Sequence, residues 1–171
     1  ANAGSQSSDG YEFDLVISPT ESIDLSISGL FMDPIYDSYV GAAAGDLSGT
    51  VPSNIPEDTI SSTITWNFDM NGWDSYLRIS HLYSSEAFLL ENPAHQALLE
   101  AQGNGFRKQD TLNFTAGFEK DNLSISLWGK NINDDEYLTS AFIAVADLSE
   151  TTFFGYPNNY ATYGMTLNYT F

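Results

Sequence analysis

With 171 residues, 42% of them hydrophobic and 14% aromatic, the chain holds enough apolar matter for one folded unit and lies outside the disordered class. Its net charge of −18, from 5 basic and 23 acidic residues, repels phosphate backbones and argues against nucleic acid as a partner. The lack of cysteine removes disulfides, thiolate metal sites and cysteine nucleophiles, and no run of about 18 apolar residues offers a transmembrane helix.

Only 16% of residues are charged, against roughly 25% in soluble domains, and Ser, Thr, Asn and Tyr take their place. Ala1 to Gly10 contain no Met, basic n-region or apolar h-region, so the chain reads as a segment of something longer.

Taken in order, the elements are strands with a period of two. Tyr11, Phe13, Leu15 and Ile17 oppose Glu12 and Asp14; Ile23, Leu25, Ile27 and Phe31 oppose Asp24, Ser26 and Ser28. Ile60, Ile64, Trp66, Phe68 and Met70 share a face against Ser61, Thr63, Thr65, Asn67 and Asp69. Trp73 to Tyr83 is less regular but sets Leu77 and Ile79 against Arg78 and Ser80. Leu112, Phe114, Ala116 and Phe118 alternate with Thr111, Asn113, Thr115 and Gly117, and Leu123, Ile125 and Leu127 with Ser124, Ser126 and Trp128. The last strand is the clearest: Tyr163, Met165, Leu167, Tyr169 and Phe171 against Gly164, Thr166, Asn168 and Thr170.

Seven strands of about the length that crosses a bilayer when tilted are therefore expected. Their connections alternate without exception between short and long. The short ones are Pro19 to Glu21, Asn71-Gly72 and Lys120-Asp121-Asn122; the long ones are Asp33 to Asp58, Ser84 to Gly105 and Asp134 to Asn159. Short periplasmic turns and long extracellular loops are the pattern of a transmembrane barrel. Phe68, Trp73, Phe118, Tyr169 and Phe171 fall beside the short turns, where a lipid-facing aromatic girdle belongs. The expectation is an all-β, antiparallel transmembrane β-barrel segment, incomplete because seven strands cannot close and an open edge in lipid leaves backbone groups unpaired.

Several residues bear the resemblance to a family. Asn2-Ala3-Gly4-Ser5 with Gly10 to Asp14, the stretch Leu127-Trp128-Gly129-Lys130-Asn131-Ile132-Asn133-Asp134-Asp135-Glu136-Tyr137, and the closing Tyr156-Pro157 to Phe171 resemble the distal half of TonB-dependent outer-membrane receptors. The second stretch is similar to that family's penultimate-strand signature. The resemblance implies that residues 1–171 are the C-terminal part of a barrel of roughly 22 strands around a plug. It also implies location in the bacterial outer membrane, contact with lipid and lipopolysaccharide, engagement of TonB through an N-terminal part, and import of a small-molecule nutrient such as a siderophore, cobalamin or oligosaccharide. The final strand resembles the signal read by the barrel assembly machinery, with Gly164, Leu167, Tyr169 and Phe171 in alternation, which suits recognition by strand addition.

Chemistry is sparse. Asp134-Asp135-Glu136 lacks the ligand spacing of an EF-hand and reads as a solvated strand end. His81 and His95 accompany no metalloprotease, nucleophile-elbow or phosphate-binding motif, so no catalytic, cofactor or metal site is expected. Asp33, Asp37, Asp46, Glu57, Asp58, Glu86, Glu91, Glu100, Asp147 and Glu150 gather in the loops, where solvation competes with a role in meeting cations. Arg78, Trp128 and Lys130 are expected on the lumenal face, packed against strands outside this chain. A porin or adhesin barrel and a secreted carbohydrate-binding sandwich stay open as alternatives.

Overall fold

The computed structural model describes residues 4–40, 44–144 and 151–171. Asn2, Ala3, Asp147 and Glu150 of the foregoing reading lie outside them.

Among the described residues nine strands and one helix follow in order: β1 (Ser5–Thr20), β2 (Ile23–Ser38), β3 (Asp58–Asp69), β4 (Asp74–Phe88), α1 (Pro93–Ala101), β5 (Phe106–Lys120), β6 (Leu123–Lys130), β7 (Leu138–Ile143), β8 (Phe153–Pro157) and β9 (Thr162–Tyr169). Seven of them form one antiparallel meander in the order β1-β2-β3-β4-β5-β6-β9, and β7 and β8 pair as a separate hairpin. These seven are the strands expected from the alternation. Among the described residues no second sheet covers the meander, so it is not a sandwich.

The short turns gather at one end because each closes an antiparallel pair. Asn71 and Gly72 both take positive φ (56° and 77°), and Met70 and Trp73 exchange backbone hydrogen bonds of 3.1 and 3.3 Å around them. Two consecutive left-handed residues give a turn whose twist matches the strands, and Asn-Gly is the pair that adopts it at least cost.

At the other end the structure departs from the expected loops. β2 runs on to Ser38, β4 to Phe88, and β5 starts at Phe106, each beyond the stretch where apolar and polar residues alternate cleanly. There the cap buries Pro34, Tyr36 and Ala87 while the apolar Ile35 and Phe88 stay exposed, so the polar–apolar alternation that marked the strands is lost while the backbone ladder continues. The helix α1 also lay inside an expected loop. Its start was written in the sequence: the Asn92 side chain accepts from the N–H groups of Ala94 and His95 (2.9 and 3.4 Å), and Pro93 occupies the first turn.

The buried apolar residues, Tyr36, Leu47, Ala87, Leu89, Leu99 and Ala144 with Pro34 and Pro52, all belong to this cap of folded loops. Gln96 is buried with them and holds α1 in place, its Oε1 accepting the Leu89 and Leu90 N–H groups (3.2 and 3.0 Å) while Nε2 donates to the Gly105 carbonyl (2.5 Å). The sheet below has no such core. Phe13, Leu15, Ile17, Ile64, Trp66, Leu127, Met165 and Leu167 each expose more than a third of their surface on one face. Leaving eight such side chains in water forfeits on the order of 10–20 kcal/mol of transfer free energy, so that face demands a cover.

Candidate functional site

Register assembles the apolar residues into one continuous face. Directly opposed residues share a face, and the rows read Trp66-Leu77-Ala116-Leu127-Met165 and Phe68-Ser75-Phe118-Ile125-Leu167, with Ile64-Ile79-Phe114-Gly129-Tyr163 beyond. β1 and β2 continue it through Leu15-Ile27, Ile17-Leu25 and the stacked Tyr11-Phe31 pair, whose ring centres lie 4.9 Å apart.

This face is bounded above by the acids Asp110, Asp58 and Asp33, and one lysine, Lys120, stands at its lower end. Ten positions separate Lys120 from Asp110 on β5, Phe68 from Asp58 on β3, and Ile23 from Asp33 on β2. At about 3.4 Å per residue and a tilt of about 45° this height is roughly 25 Å, the apolar thickness of a barrel in an outer membrane. One row inside the upper limit, His81 Nε2 lies 2.5 Å from Asp110 Oδ1.

The opposite face is polar and stitched by short side chains. Asp24 accepts from Ser18 (2.7 Å) and Asn67 (3.2 Å), and Arg78 Nε donates to Thr65 (3.1 Å) while its guanidinium lies 5.4 Å from the Tyr76 ring centre. Trp128 Nε1 donates to Thr166 (3.2 Å), and the Lys130 ammonium stands 5.5 Å from the Trp128 ring centre. The three side chains expected to pack on other strands therefore find partners within this sheet. Near the short turns the polar face opens into a cavity of about 690 Å³, lined among others by Glu21, Asp69, Asp74, Tyr76 and Glu119.

Both faces set an aromatic ring on a directly opposed glycine: Phe13 on Gly29 and Phe114 on Gly129 on the apolar face, Tyr76 on Gly117 and Trp128 on Gly164 on the polar one. A side chain at any of these glycines would occupy the ring's place.

The stretch after β6 forms a clamp. Asn131 is buried at positive φ (51°); its Oδ1 accepts the Asp135 N–H, and its Nδ2 donates to the carbonyls of Asp135 and Asn159, all at 2.9 Å. Asn133 imitates a strand on the edge of β5, accepting the Leu112 N–H (2.9 Å) and donating to the Asp110 carbonyl (2.5 Å). Asp135 accepts the Asp110 N–H (2.7 Å), and Asp134 accepts the Ala161 N–H (3.0 Å). Asn158 closes the base of the β7–β8 hairpin, accepting the Tyr137 N–H (3.0 Å) and donating to the Asp135 carbonyl (2.7 Å). Asp134 and Glu136 stay exposed and Asp135 half-buried, as their charge suggested, but Asp134 and Asp135 do more than meet water. They satisfy backbone donors where β6 stops and β5 is left without a neighbour.

Of the other acids expected in loops, Asp33 and Asp37 lie on β2, Asp58 on β3, Glu86 on β4 and Glu100 on α1, and several are held by side chains. Asp37 accepts from Ser7 (2.7 Å), Asp46 from Ser48, Glu91 from Ser53 (2.7 Å) and Glu100 from Gln96 (3.0 Å), and Glu86 lies 3.8 Å from Lys108. Tyr36, on β2 beyond Asp33, is pushed up to about 12 by burial first and then by the Glu91 carboxylate facing its hydroxyl.

Of the residues marked in the sequence, Phe68 and Phe118 flank the buried Ser75 on the apolar face. Trp73 closes the Asn71-Gly72 turn, and Tyr169 meets Phe171 edge-on with ring centres 5.1 Å apart. Leu167 lies on the same face, exposed, whereas Gly164 lies on the polar face beneath Trp128. The clamp was missed because its signal is five polar side chains brought together from two segments, and no periodicity announces that.

No family model and no curated protein sequence matches the chain. Among solved structures it is similar to the ferric yersiniabactin uptake receptor FyuA from Yersinia pestis, with a TM-score of 0.77 at 15% identity, over 99% of this chain and 24% of that one. The chain thus spans about a quarter of the length of the receptor it matches. What the likeness shows is the fold: this chain is an antiparallel β-barrel segment, not closed on itself.

Proposed function

We propose that this chain is wall, outer loops and closing strand of a TonB-dependent receptor in the bacterial outer membrane, and that the parent protein imports a scarce small-molecule nutrient. The observation that carries this reading is the uncovered apolar face among the described residues, about ten residues high below a row of acids, on a sheet whose other face is polar. Lipid is the solvent that such a face suits, and further strands, pairing with β1 and β9, are what an open sheet needs there. The short turns are then periplasmic and the folded loop cap extracellular.

The likeness to an uptake receptor favours energised import over a porin or adhesin barrel, and it brings iron chelates forward among siderophore, cobalamin and oligosaccharide classes. In this reading Phe68, Trp73, Phe118, Tyr169 and Phe171 form the periplasmic girdle. Leu167, Tyr169 and Phe171 present alternating side chains to the assembly machinery, with Gly164 making room for Trp128 on the opposite face. Intact-mass measurement on the detergent-extracted outer-membrane fraction tests the whole. A polypeptide several times longer, ending in Asn168-Tyr169-Thr170-Phe171 and carrying an N-terminal plug, is expected; a water-soluble product with this terminus would sink the reading.

A further inference from the structure

The bottom row of the apolar face differs from the rows above it. Met70, Trp73, Lys120, Leu123 and Tyr169 follow one another along the ends of five strands, by the Met70–Trp73 turn bonds and the Lys120-Leu123 and Leu123-Tyr169 pairs. Lys120 is the only basic residue on this face below His81 among the described residues. Its ammonium reaches toward the neighbouring turn at Gly72, and among the described residues it forms no ion pair.

The nearby Asp74 and Glu119 stand on the polar face, and Asp121 shares the rim without pairing with Lys120. Between the two adjacent turns lies a cavity of about 430 Å³ lined by Trp73, Lys120, Asp121, Asn122, Leu123 and Tyr169. It joins three requirements in one place: two amphipathic aromatic rings, an aliphatic wall continuous with the apolar face, and a positive charge at its lower edge.

We infer that this cavity is a binding site for one phospholipid of the periplasmic leaflet, held by its headgroup phosphate on Lys120 and its glycerol and upper chains between Trp73, Leu123 and Tyr169. The inference rests on the proposed placement of the apolar face in lipid. A phosphate is the complementary ion because it lies at the depth where a row-end lysine emerges from the apolar band. Acyl chains then continue upward over Leu123, Ile125 and Phe118.

Native mass spectrometry of the full-length, detergent-solubilised protein tests it, with phosphatidylglycerol as probe. Wild-type protein is expected to retain one lipid adduct that diacylglycerol, lacking the phosphate, does not displace. Lys120→Gln is expected to weaken retention about five-fold, the factor for one basic residue at a charged lipid surface, and Lys120→Arg to restore it. Trp73→Ala should weaken it by a comparable factor. Equal retention in Lys120→Gln and wild type, with the protein still requiring detergent, overturns the site and leaves the membrane reading standing. Displacement by inorganic phosphate at equal concentration overturns the lipid as its source. A protein soluble without detergent overturns both.

Discussion

Replacing Asn131 with alanine should open the clamp after β6, and the structure sets the size of the effect. Its amide makes three hydrogen bonds at 2.9 Å. The Asp135 carbonyl keeps a second donor in Asn158, so two backbone groups lose their partner: the Asp135 N–H and the Asn159 carbonyl. At roughly 1–1.5 kcal/mol each, that is about 2–3 kcal/mol. Alanine at positive φ adds about 1 kcal/mol, for a total of about 3–4. Asn131→Gly loses the same bonds without the conformational cost and should stop about 1 kcal/mol short of it. Amide hydrogen exchange on the full-length protein in detergent reads this locally. The N–H groups of Asp110, Leu112, Asp135 and Tyr137 are each held by a clamp side chain, and their exchange should quicken by about two to three decades in the alanine variant. If exchange at these four amides changes less than about three-fold in both variants, the clamp does not depend on Asn131 and the reasoning fails.

Three further outcomes are expected. Gly164→Val should eject the Trp128 ring from its place on the backbone, which a red shift of tryptophan emission and loss of the Thr166 bond would register; an unchanged spectrum contradicts the packing. Ile64→Arg, in the middle of the apolar face, should cost about 2–4 kcal/mol in folding into lipid vesicles, while Thr65→Arg on the other face should cost far less, and equal costs would mean the faces are misassigned. Tyr36, whose pKa is raised from 10.0 to about 12, binds its proton more tightly in the folded cap than in the unfolded chain. The stability it lends is full below pH 10 and falls as pH rises toward 12, and Tyr36→Phe should flatten that slope in cap-amide exchange.

Much of the sheet was legible because its physics is local. Alternation with a period of two names both faces without knowledge of neighbours, as in Tyr163 to Phe171. Asn71-Gly72 and Lys120-Asp121-Asn122 mark turns by backbone chemistry alone. The helix α1 was equally legible in Asn92-Pro93 and Gly103, yet its placement within a long loop hid it. Beyond Asp33 and Tyr83 the signal faded for a different reason: there the loop cap buries Pro34, Tyr36 and Ala87 while the apolar Ile35 and Phe88 stand exposed, so polarity no longer follows strand parity.

The site residues divide along the same line. Phe68, Phe118 and Leu167 fall on the apolar face by parity, which sequence supplies. Gly164 is different, since its lack of a side chain answers to Trp128 across the strand pair, a contact that only register reveals. Asp134 and Asp135 looked solvated because charge is usually met by water. They do stay at the surface, and the fold adds the backbone donors of Ala161 and Asp110, which lie 27 and 25 positions away in the chain.

The sequence by itself determined an antiparallel sheet with one apolar and one polar face, short turns at one end and long loops at the other, because each of these follows from residue parity and turn chemistry within a few positions. Only the tertiary structure decided that the long loops fold into a cap with its own buried residues, that Asn131, Asn133, Asp135 and Asn158 clamp the end of the sheet, and that Lys120 stands between Trp73 and Tyr169. Those arrangements join residues far apart in the chain through side-chain hydrogen bonds and shape, and no local period encodes them.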